Sequence, residues 1–146
     1  NVIWLDRGIV GDDTHGHVDD ISRFIASGRI ATCIEINTAD PNHKLLDHNL
    51  RRLRAAKLEN GRRPAIIEIP MPAPVVFDGQ RLPASYANFL IANRIVLVPV
   101  FNGPNDRIAL NILAEAMPER DIIPIYCGDF VWGLGTIHCA SQQQPA

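Results

Sequence analysis

The sequence predicts an α/β fold built from strand-strand-helix-strand units. Two stretches, residues 22–35 and 87–100, resemble each other, and each has the pattern of two strands joined by a short turn. An amphipathic helix and a further strand follow each of them. Because such units bury their apolar faces against one another, two units with partial units at their flanks predict part of a ring or barrel.

Short turns separate the two strands of each predicted hairpin. Ser27-Gly28 and Ala92-Asn93 each supply a residue that tolerates positive φ, as tight hairpin turns require. The strand before the second turn is predicted to begin at Ala87. Asn88 is therefore expected to be a polar residue within an apolar strand.

A helix is predicted after each hairpin. Asp40-Pro41-Asn42 and Gly103-Pro104-Asn105 indicate the two starts, with proline at the first helical position. Gly61 and Pro118 indicate the two ends. Each helix has one apolar stripe, formed by Leu46, Leu50 and Leu53 in the first helix and by Ile108, Ile112 and Leu113 in the second.

A strand follows each helix, over Ala65–Ile69 and Asp121–Cys127. The two repeating units therefore cover about residues 21–69 and 86–127. Between them lies the stretch Met71–Pro83, which contains several prolines and a glycine. We expect it to be a long ordered loop or a lid, not a linker between domains.

The composition fits one compact domain or part of a larger one. The chain has 146 residues, 47% of them hydrophobic, and a formal net charge of −2. Interspersed charges argue against a nucleic-acid or membrane partner, and no apolar run is long enough to span a bilayer. Three irregularly spaced cysteines argue against a disulfide framework and predict a reducing, cytoplasmic compartment.

Two local features bear on partners and completeness. The first helix and its flank are rich in arginine and lysine; we interpret this as a solvated face, with an RNA-binding helix as the alternative. The segment Asn1-Val2-Ile3-Trp4-Leu5 has no initiator Met and has the pattern of mid-strand residues. We therefore expect the chain to be the C-terminal part of a longer polypeptide.

Three side-chain types that act together in covalent catalysis lie near opposite ends of the chain. Cys139 follows a glycine-containing stretch near the C-terminus, while His17 and Asp19 end a Gly/Asp-rich loop near the N-terminus. Residues two apart in a strand project on the same face, so His17 and Asp19 are predicted to contact one small ligand. A thiol, an imidazole and a carboxylate are the parts of nucleophilic catalysis.

Two long motifs carry a resemblance to a known enzyme family. Residues 11–20 read Gly-Asp-Asp-Thr-His-Gly-His-Val-Asp-Asp, and residues 135–139 read Gly-Thr-Ile-His-Cys. Together with residues 82–89 and 141–145, they make the whole chain resemble the agmatine deiminases, a branch of the bacterial-type peptidylarginine deiminases. The resemblance implies the pentein fold, a pseudo-fivefold αβ propeller of strand-strand-helix-strand units, with only part of the ring in this chain.

The resemblance also implies roles for three residues. It assigns the nucleophile to Cys139, the general acid/base to His17 and a guanidinium-binding carboxylate to Asp19. The implied reaction is hydrolysis of agmatine to N-carbamoylputrescine and ammonia through a thiouronium intermediate, in polyamine biosynthesis. It implies a small guanidinium substrate, no cofactor and no metal, and it is compatible with a homo-oligomer.

The chain departs from this family in what it lacks. Family members carry a further guanidinium-binding aspartate and an acidic partner of the histidine in their N-terminal half, and no Trp-x-Arg-Asp or Gly-Gly-Asn-x-Glu pattern occurs here. We therefore expect residues 1–146 to be the C-terminal portion of a single catalytic domain, roughly its last two-fifths to one-half, and inactive alone. Deimination of arginine or peptidylarginine, and guanidinium binding without turnover, are the alternatives.

Other residues remain open candidates for the site. Asn88 could line the pocket, as an asparagine does in the related bacterial peptidylarginine deiminases, and Trp132 could wall it; core packing is the alternative for both. His15 is the nearest rival of His17. Zinc is disfavoured by the spacing of its candidate ligands, which are His15, His17, Asp19 and Cys139.

The remaining candidates are expected to be structural. Cys33 and Cys127 are predicted to be small buried hydrophobes. His138 is predicted to alternate away from Cys139 and to make a structural hydrogen bond. Turn or capping bonds are predicted for three aspartates, which are Asp12, Asp13 and Asp20.

Overall fold

The computed structural model describes residues 1–13 and 16–144. Within these residues, two α-helices and eight strands form an α/β domain with two three-stranded sheets and one small hairpin. Neither of the two helices is long and apolar enough to cross a membrane.

The first sheet contains strands β1 (Ser22–Ala26), β2 (Arg29–Ile34) and β3 (Ala65–Pro70), in that spatial order. β1 and β2 are antiparallel, and Gly28 in their turn has a φ of +73°. β2 and β3 are parallel, and helix α1 (Pro41–Ala55) connects them. The hairpin, its turn and the start of α1 at a proline agree with the sequence prediction.

The proline-rich stretch between the sheets contains a hairpin that the sequence did not reveal. Strands β4 (Val76–Phe77) and β5 (Gln80–Arg81) pair antiparallel around Asp78-Gly79, whose φ values are +49° and +74°. At the base of this hairpin, Arg81 Nη1 donates to both carboxylate oxygens of Asp40 at 2.8 Å. The loop is therefore ordered, as predicted, and is fixed to the start of α1.

The second sheet contains strands β6 (Leu90–Ile91), β7 (Ile95–Val100) and β8 (Asp121–Tyr126). β6 and β7 are antiparallel, β7 and β8 are parallel, and helix α2 (Asp106–Ala116) connects the parallel pair. Both sheets therefore have the same β-β-α-β connectivity. The bounds of the units and their place in a propeller remain predictions.

Strand β6 is shorter than the sequence predicts, because residues 85–88 form a turn. The backbone N–H of Ala87 donates to Ser85 Oγ at 3.1 Å, and that of Asn88 donates to the Ser85 carbonyl at 3.4 Å. Asn88 therefore precedes the strand, and its prediction as a strand residue is wrong.

The helix bounds also differ from the prediction. Helix α1 ends at Ala55, and Gly61, at a φ of +75°, lies in the turn that leads to β3. Helix α2 begins two residues after Pro104, because the Asp106 carboxylate accepts the backbone N–H groups of residues 101 and 103. The N-cap residue Asn105 makes no side-chain cap bond, so the Asp106 bonds hold the loop that precedes the helix.

The two sheets share one apolar core. In α1 the predicted stripe of leucines is buried. In α2 Leu113 is buried and Ile112 packs against the core, as predicted, but Ile108 is 50% exposed, contrary to the prediction. Ala109 and Ala116 complete the buried face of α2. The shared core includes Ile25, Ala31 and Ile69 from the first sheet and Phe89, Val96 and Val98 from the second.

The N-terminal segment is not a strand, so the mid-strand prediction for residues 1–5 is wrong. Two buried asparagines of α1 hold the residues that follow. Asn49 accepts from the backbone N–H of Asp6 at 2.7 Å and donates to the Arg7 carbonyl at 2.8 Å. Asn42 accepts from the backbone N–H of Val10 at 2.8 Å. These bonds lead the chain into the loop that carries the predicted site.

Candidate active site

His17 and Asp19 do not lie in a strand. Residues Val18–Asp20 form a single turn of 3₁₀ helix with His17 at its N-cap, and the His17 backbone N–H donates to Asp12 Oδ2 at 2.7 Å. The prediction that the two side chains share a strand face is therefore wrong. Acidic residues at the start of the turn favour it, because they stabilise free backbone N–H groups there.

One carboxylate oxygen of Asp19 contacts three other side chains of the site. Asp19 Oδ2 lies 2.7 Å from His138 Nδ1, 3.3 Å from Cys139 Sγ and 3.1 Å from Asn88 Nδ2. Burial raises the pKa of Asp19, but the hydrogen bonds from His138 and Cys139 outweigh burial and lower it below the usual value. Asp19 is therefore an anion at neutral pH and can hold a cation beside the thiol.

Cys139 is exposed and lies in a turn, where the backbone N–H of Ala140 donates to the Thr136 carbonyl at 3.1 Å. A Cβ at Gly135 would lie 2.8 Å from Cys139 Sγ, so only glycine leaves room for the sulfur here. Burial raises the pKa of the Cys139 thiol, the nearby carboxylates raise it further, and a hydrogen bond from Asn88 opposes them. The resting side chain is therefore a thiol, whose ionisation a nearby cation would promote.

Asn88 connects the two motifs from beneath the surface. It is fully buried, and its amide nitrogen lies 2.8 Å from Asp20 Oδ1 and 3.0 Å from Cys139 Sγ. Its amide oxygen accepts from Thr136 Oγ1 at 2.9 Å and from the backbone N–H of His138 at 3.0 Å. Asn88 is therefore a buried amide with hydrogen bonds at both its oxygen and its nitrogen, and a role in substrate binding stays a prediction.

Asp20 is the buried carboxyl of the site, and within the described part of the chain its side chain bonds Asn88 rather than a turn, contrary to the prediction. Its side chain is 0% exposed, and Oδ2 has no hydrogen-bond donor among the described residues. Burial, reinforced by the negative charge of Asp19, raises the pKa of Asp20 to about 7. Two neighbouring carboxyls thus differ in charge at neutral pH, because only one of them is buried without a cation.

The two histidines are placed differently from the prediction. His138, expected to turn away, bonds the Asp19 carboxylate that also contacts the thiol. His17 Nδ1 lies 3.3 Å from Asp12 Oδ1, without the geometry of a hydrogen bond. No hydrogen bond joins His17 to Cys139 within residues 1–13 and 16–144. His15, the rival of His17, lies outside the described residues.

A cavity of about 460 Å³ adjoins this cluster, and Arg23 is one of the residues that line it. The Arg23 guanidinium donates to the Phe89 carbonyl at 2.8 Å, and its central carbon lies 5.1 Å from the centroid of the Phe89 ring. Burial lowers the pKa of Arg23, and the negative charge of Asp19 opposes this in part. The lining residues include Val18, Asp19, Arg23, Phe24 and His138.

Trp132 is neither core nor part of this cavity lining. It is 53% exposed and stacks on Phe77 of the β4–β5 hairpin, with ring centroids 3.7 Å apart. The core-packing interpretation is therefore wrong, and a role at the pocket stays a prediction. Cys33 and Cys127 are both buried, as predicted.

Two clusters have the donor types of a metal site. Side-chain atoms of Asp19, Asp20 and Cys139 lie within 4.8 Å of one another, and so do those of a second group. In the first cluster the Asn88 amide nitrogen already contacts all three side chains, so an ion would have to displace it. The second group is Asp12, Asp13 and His17.

The fold and the cluster together define an α/β domain whose carboxylate and thiol face one site. Over residues 1–145 the sequence matches the model of the Porphyromonas-type peptidyl-arginine deiminases, and the chain belongs to that family. The resemblance drawn from the two motifs is thereby confirmed at the level of the family.

Individual relatives agree with this placement. The chain is 34% identical to the agmatine deiminase of Stutzerimonas stutzeri (strain A1501) over 164 residues, covering 100% of this chain and 45% of the relative. The agmatine deiminase of Enterococcus faecalis has a TM-score of 0.92 and 30% identity, over 98% of this chain and 44% of that one. That of C. jejuni has a TM-score of 0.86 and 33% identity, over 96% and 41%. The chain spans less than half the length of each of these proteins.

Proposed function

We propose that this chain supplies the nucleophile and part of the guanidinium site of an enzyme that hydrolyses agmatine to N-carbamoylputrescine and ammonia. The main support is that Asp19 Oδ2 lies 3.3 Å from Cys139 Sγ. A guanidinium held by this carboxylate has its central carbon beside the sulfur. The relatives named agmatine deiminase support the choice of substrate.

Binding and activation of the nucleophile are one event in this proposal. A guanidinium presents two N–H groups in a fork that matches a carboxylate, so Asp19 fixes the orientation of the substrate. Its positive charge offsets the carboxylates that keep Cys139 a thiol in the resting site. The substrate thereby promotes formation of the thiolate that attacks it.

The chemical steps follow from these charges. The thiolate of Cys139 adds to the guanidinium carbon and gives a tetrahedral adduct. His17 protonates one nitrogen, ammonia leaves, and a thiouronium remains on Cys139. His17, left neutral by this transfer, takes a proton from water and the hydroxide adds to the same carbon. The C–S bond then breaks, the hydroxyl proton passes to the released ammonia or to solvent, and the ureido product leaves as the thiolate returns. Addition of the thiolate gives a neutral adduct, which becomes cationic when His17 protonates it, and the thiouronium that remains is also cationic; positive charge develops at the carbon, so carboxylates stabilise these species rather than an oxyanion hole.

The assignment of the acid/base to His17 is part of this proposal. The nearly buried Asp12 accepts from the His17 backbone and lies beside its ring, which holds the imidazole at the mouth of the loop. His138 is the second candidate, because it alone of the two bonds Asp19. Remaining acidic groups, including a second carboxylate for the guanidinium, are proposed to come from a further N-terminal portion of the same enzyme.

An ammonia-release assay tests the substrate. The full-length protein that contains this chain is offered agmatine, arginine, a peptidylarginine and methylated arginine at equal concentrations. We expect the highest kcat/KM for agmatine. A higher kcat/KM for arginine would overturn the substrate assignment, and binding of agmatine by the wild-type protein without ammonia release would favour the binding-only alternative.

A further inference from the structure

We propose that Asp20 is a positioning residue for Cys139. Its buried carboxyl orients the Asn88 amide toward Sγ, and its negative charge, when the carboxyl is ionised, opposes ionisation of the thiol. The consequence for turnover rests on the proposed function. The effect on the thiol itself does not, because thiol reactivity can be measured without substrate.

The environment of Asp20 is asymmetric. Oδ1 accepts from Asn88 Nδ2 at 2.8 Å, and the Ser85 hydroxyl donates to the Asp20 backbone carbonyl at 2.7 Å. Oδ2 is buried and meets no donor in the described part of the chain. A bare, buried carboxylate oxygen is costly, and a proton on Oδ2 removes that cost.

The Asn88 amide has fewer hydrogens than acceptors. Its nitrogen carries two hydrogens and faces three acceptors, at Asp20 Oδ1, Cys139 Sγ and Asp19 Oδ2, 2.8, 3.0 and 3.1 Å away. The amide cannot turn over, because its oxygen is held by donors from Thr136 and His138. With one hydrogen committed to Asp20, the other is divided between Asp19 and the sulfur.

A bound cation decides this competition. When a guanidinium engages Asp19, that carboxylate no longer needs the Asn88 hydrogen, which then bonds Sγ and stabilises the thiolate. Asp20 acts through Asn88 by keeping the amide nitrogen in place. It therefore positions the nucleophile's hydrogen-bond donor without touching the substrate.

The charge of Asp20 acts in the opposite direction. The buried carboxyl and the thiol lie in one cluster, so ionisation of either group disfavours ionisation of the other. With a pKa of about 7, Asp20 is largely charged at the pH where Cys139, whose own pKa is raised, begins to ionise. The other titratable or charged groups that face this cluster are Asp12, His17, Asp19, Arg23, Cys33 and His138.

The test is the pH dependence of Cys139 alkylation in the full-length protein without substrate. Iodoacetamide is used as the neutral probe, and peptide mass spectrometry counts modification at Cys139 alone. Asparagine at position 20 keeps an oxygen that can accept from Asn88 but carries no charge, so we expect Asp20→Asn to be alkylated several-fold faster than wild type at pH 8, with its profile displaced to lower pH. Asp121→Asn, which removes an exposed charge at the start of β8, should match wild type. Superposed profiles for Asp20→Asn and wild type, or slower alkylation at every pH, would overturn the proposal.

A measurement on the wild type covers the case in which Asp20→Asn fails to fold. The carboxyl carbons of ¹³C-labelled aspartate are titrated by NMR before and after alkylation of Cys139. We expect one aspartate to titrate near neutral pH and to move when Cys139 is alkylated; titration of every aspartate below pH 5 would refute the inference. If the alkylation and titration effects are both seen but no guanidinium compound releases ammonia, the inference about Asp20 stands and the proposed function is wrong.

Discussion

At the residue scale, Asp19 must serve several partners with one oxygen. Its Oδ2 accepts from His138 at 2.7 Å, so an incoming guanidinium competes with an imidazole for the same carboxylate. Asp19 stays negatively charged in this exchange, because the guanidinium replaces the imidazole as its hydrogen-bond donor. His138 is therefore expected to affect how tightly substrate binds, while His17 is expected to affect the chemistry.

Parallel substitutions of the two histidines test this division. His17→Asn removes the group proposed for both proton transfers and should lower kcat by about 10²–10⁴-fold. His138→Asn should keep kcat within about tenfold and mainly change KM, since it releases Asp19. Steady-state ammonia release from agmatine by the full-length protein separates kcat from KM. The reverse pattern would move the acid/base role to His138.

The residues of the site were only partly predictable from the sequence. Cys139 and Asp19 were found because they lie in long motifs, and the structure brings them to 3.3 Å. His138 was missed because strand alternation was assumed where the chain forms a turn, and Asp20 was missed because its side chain was expected to make a turn or capping bond. The adjacent pair Asp19-Asp20 was the available signal, since two neighbouring carboxyls seldom stay equally charged when one is buried.

At the element scale, the start of α1 joins three parts of the molecule. Asp40 caps the helix by accepting from the Asn42 backbone N–H at 2.8 Å, and it also pairs with Arg81 at the base of the β4–β5 hairpin. The Arg81 and Asp40 side chains are only 14% and 7% exposed, so this ion pair is poorly screened by solvent. Burial raises the pKa of Asp40, but Arg81 and the capping bond outweigh burial and lower it.

Removing this cap should destabilise the protein clearly. Asp40→Ala loses the N-cap bond and leaves a nearly buried arginine unpaired, so we expect the free energy of unfolding to fall by about 2–4 kcal/mol. Asp47→Ala is the matched control on the same helix, where an exposed pair with Arg51 should contribute at most about 0.5 kcal/mol. Urea denaturation followed by circular dichroism measures both, and equal losses would contradict the account.

Elements governed by local pattern were predicted better than those governed by distant contacts. The leucine stripe of α1 and the turn at Gly28 follow from helical spacing and from glycine's tolerance of positive φ. The shortening of β6 does not follow from local pattern, because Asn88 lies outside the strand and hydrogen-bonds residues near both ends of the chain. A single sequence contains no information on which distant groups will complete an amide's hydrogen bonds.

At the scale of the whole molecule, the exposed apolar side chains fit the proposal that a further part of the enzyme packs here. Trp4 is 77% exposed, Phe24 57% and Tyr126 52%. The sequence predicted a chain that covers two-fifths to one-half of its family's length, and the relatives give 41–45%. Absent family motifs carried that prediction, and the geometry of the other part cannot be derived from a sequence that does not contain it.

The buried carboxyl of Asp20 predicts an unusual dependence of stability on pH. Its folded pKa of about 7 lies above the unfolded value of 3.8, so between these values the folded state holds a proton that the unfolded state has lost. Stability from this group is therefore full below about pH 4 and is lost as pH rises through 7, by up to roughly 4 kcal/mol. Asp19 and Asp40 act in the opposite direction, because their pKa values are lowered in the folded protein. Their contribution to stability is present above the unfolded pKa and is lost in strong acid.

Urea denaturation between pH 4 and 8 measures this dependence. Wild type should become less stable across the range, Asp20→Asn should show a flatter profile, and Asp121→Asn should follow wild type. An Asp20→Asn profile parallel to that of wild type would show that Asp20 ionises normally in the folded protein.

The covalent role of Cys139 is tested most directly by acid-quenching the full-length protein during turnover of agmatine and locating the adduct by peptide mass spectrometry. The account predicts a thiouronium on Cys139, with the mass of agmatine less ammonia. It predicts neither adduct nor ammonia release in Cys139→Ser, because a serine hydroxyl stays un-ionised where a thiolate is required. An adduct on Cys33 or Cys127, or undiminished turnover in Cys139→Ser, would contradict it.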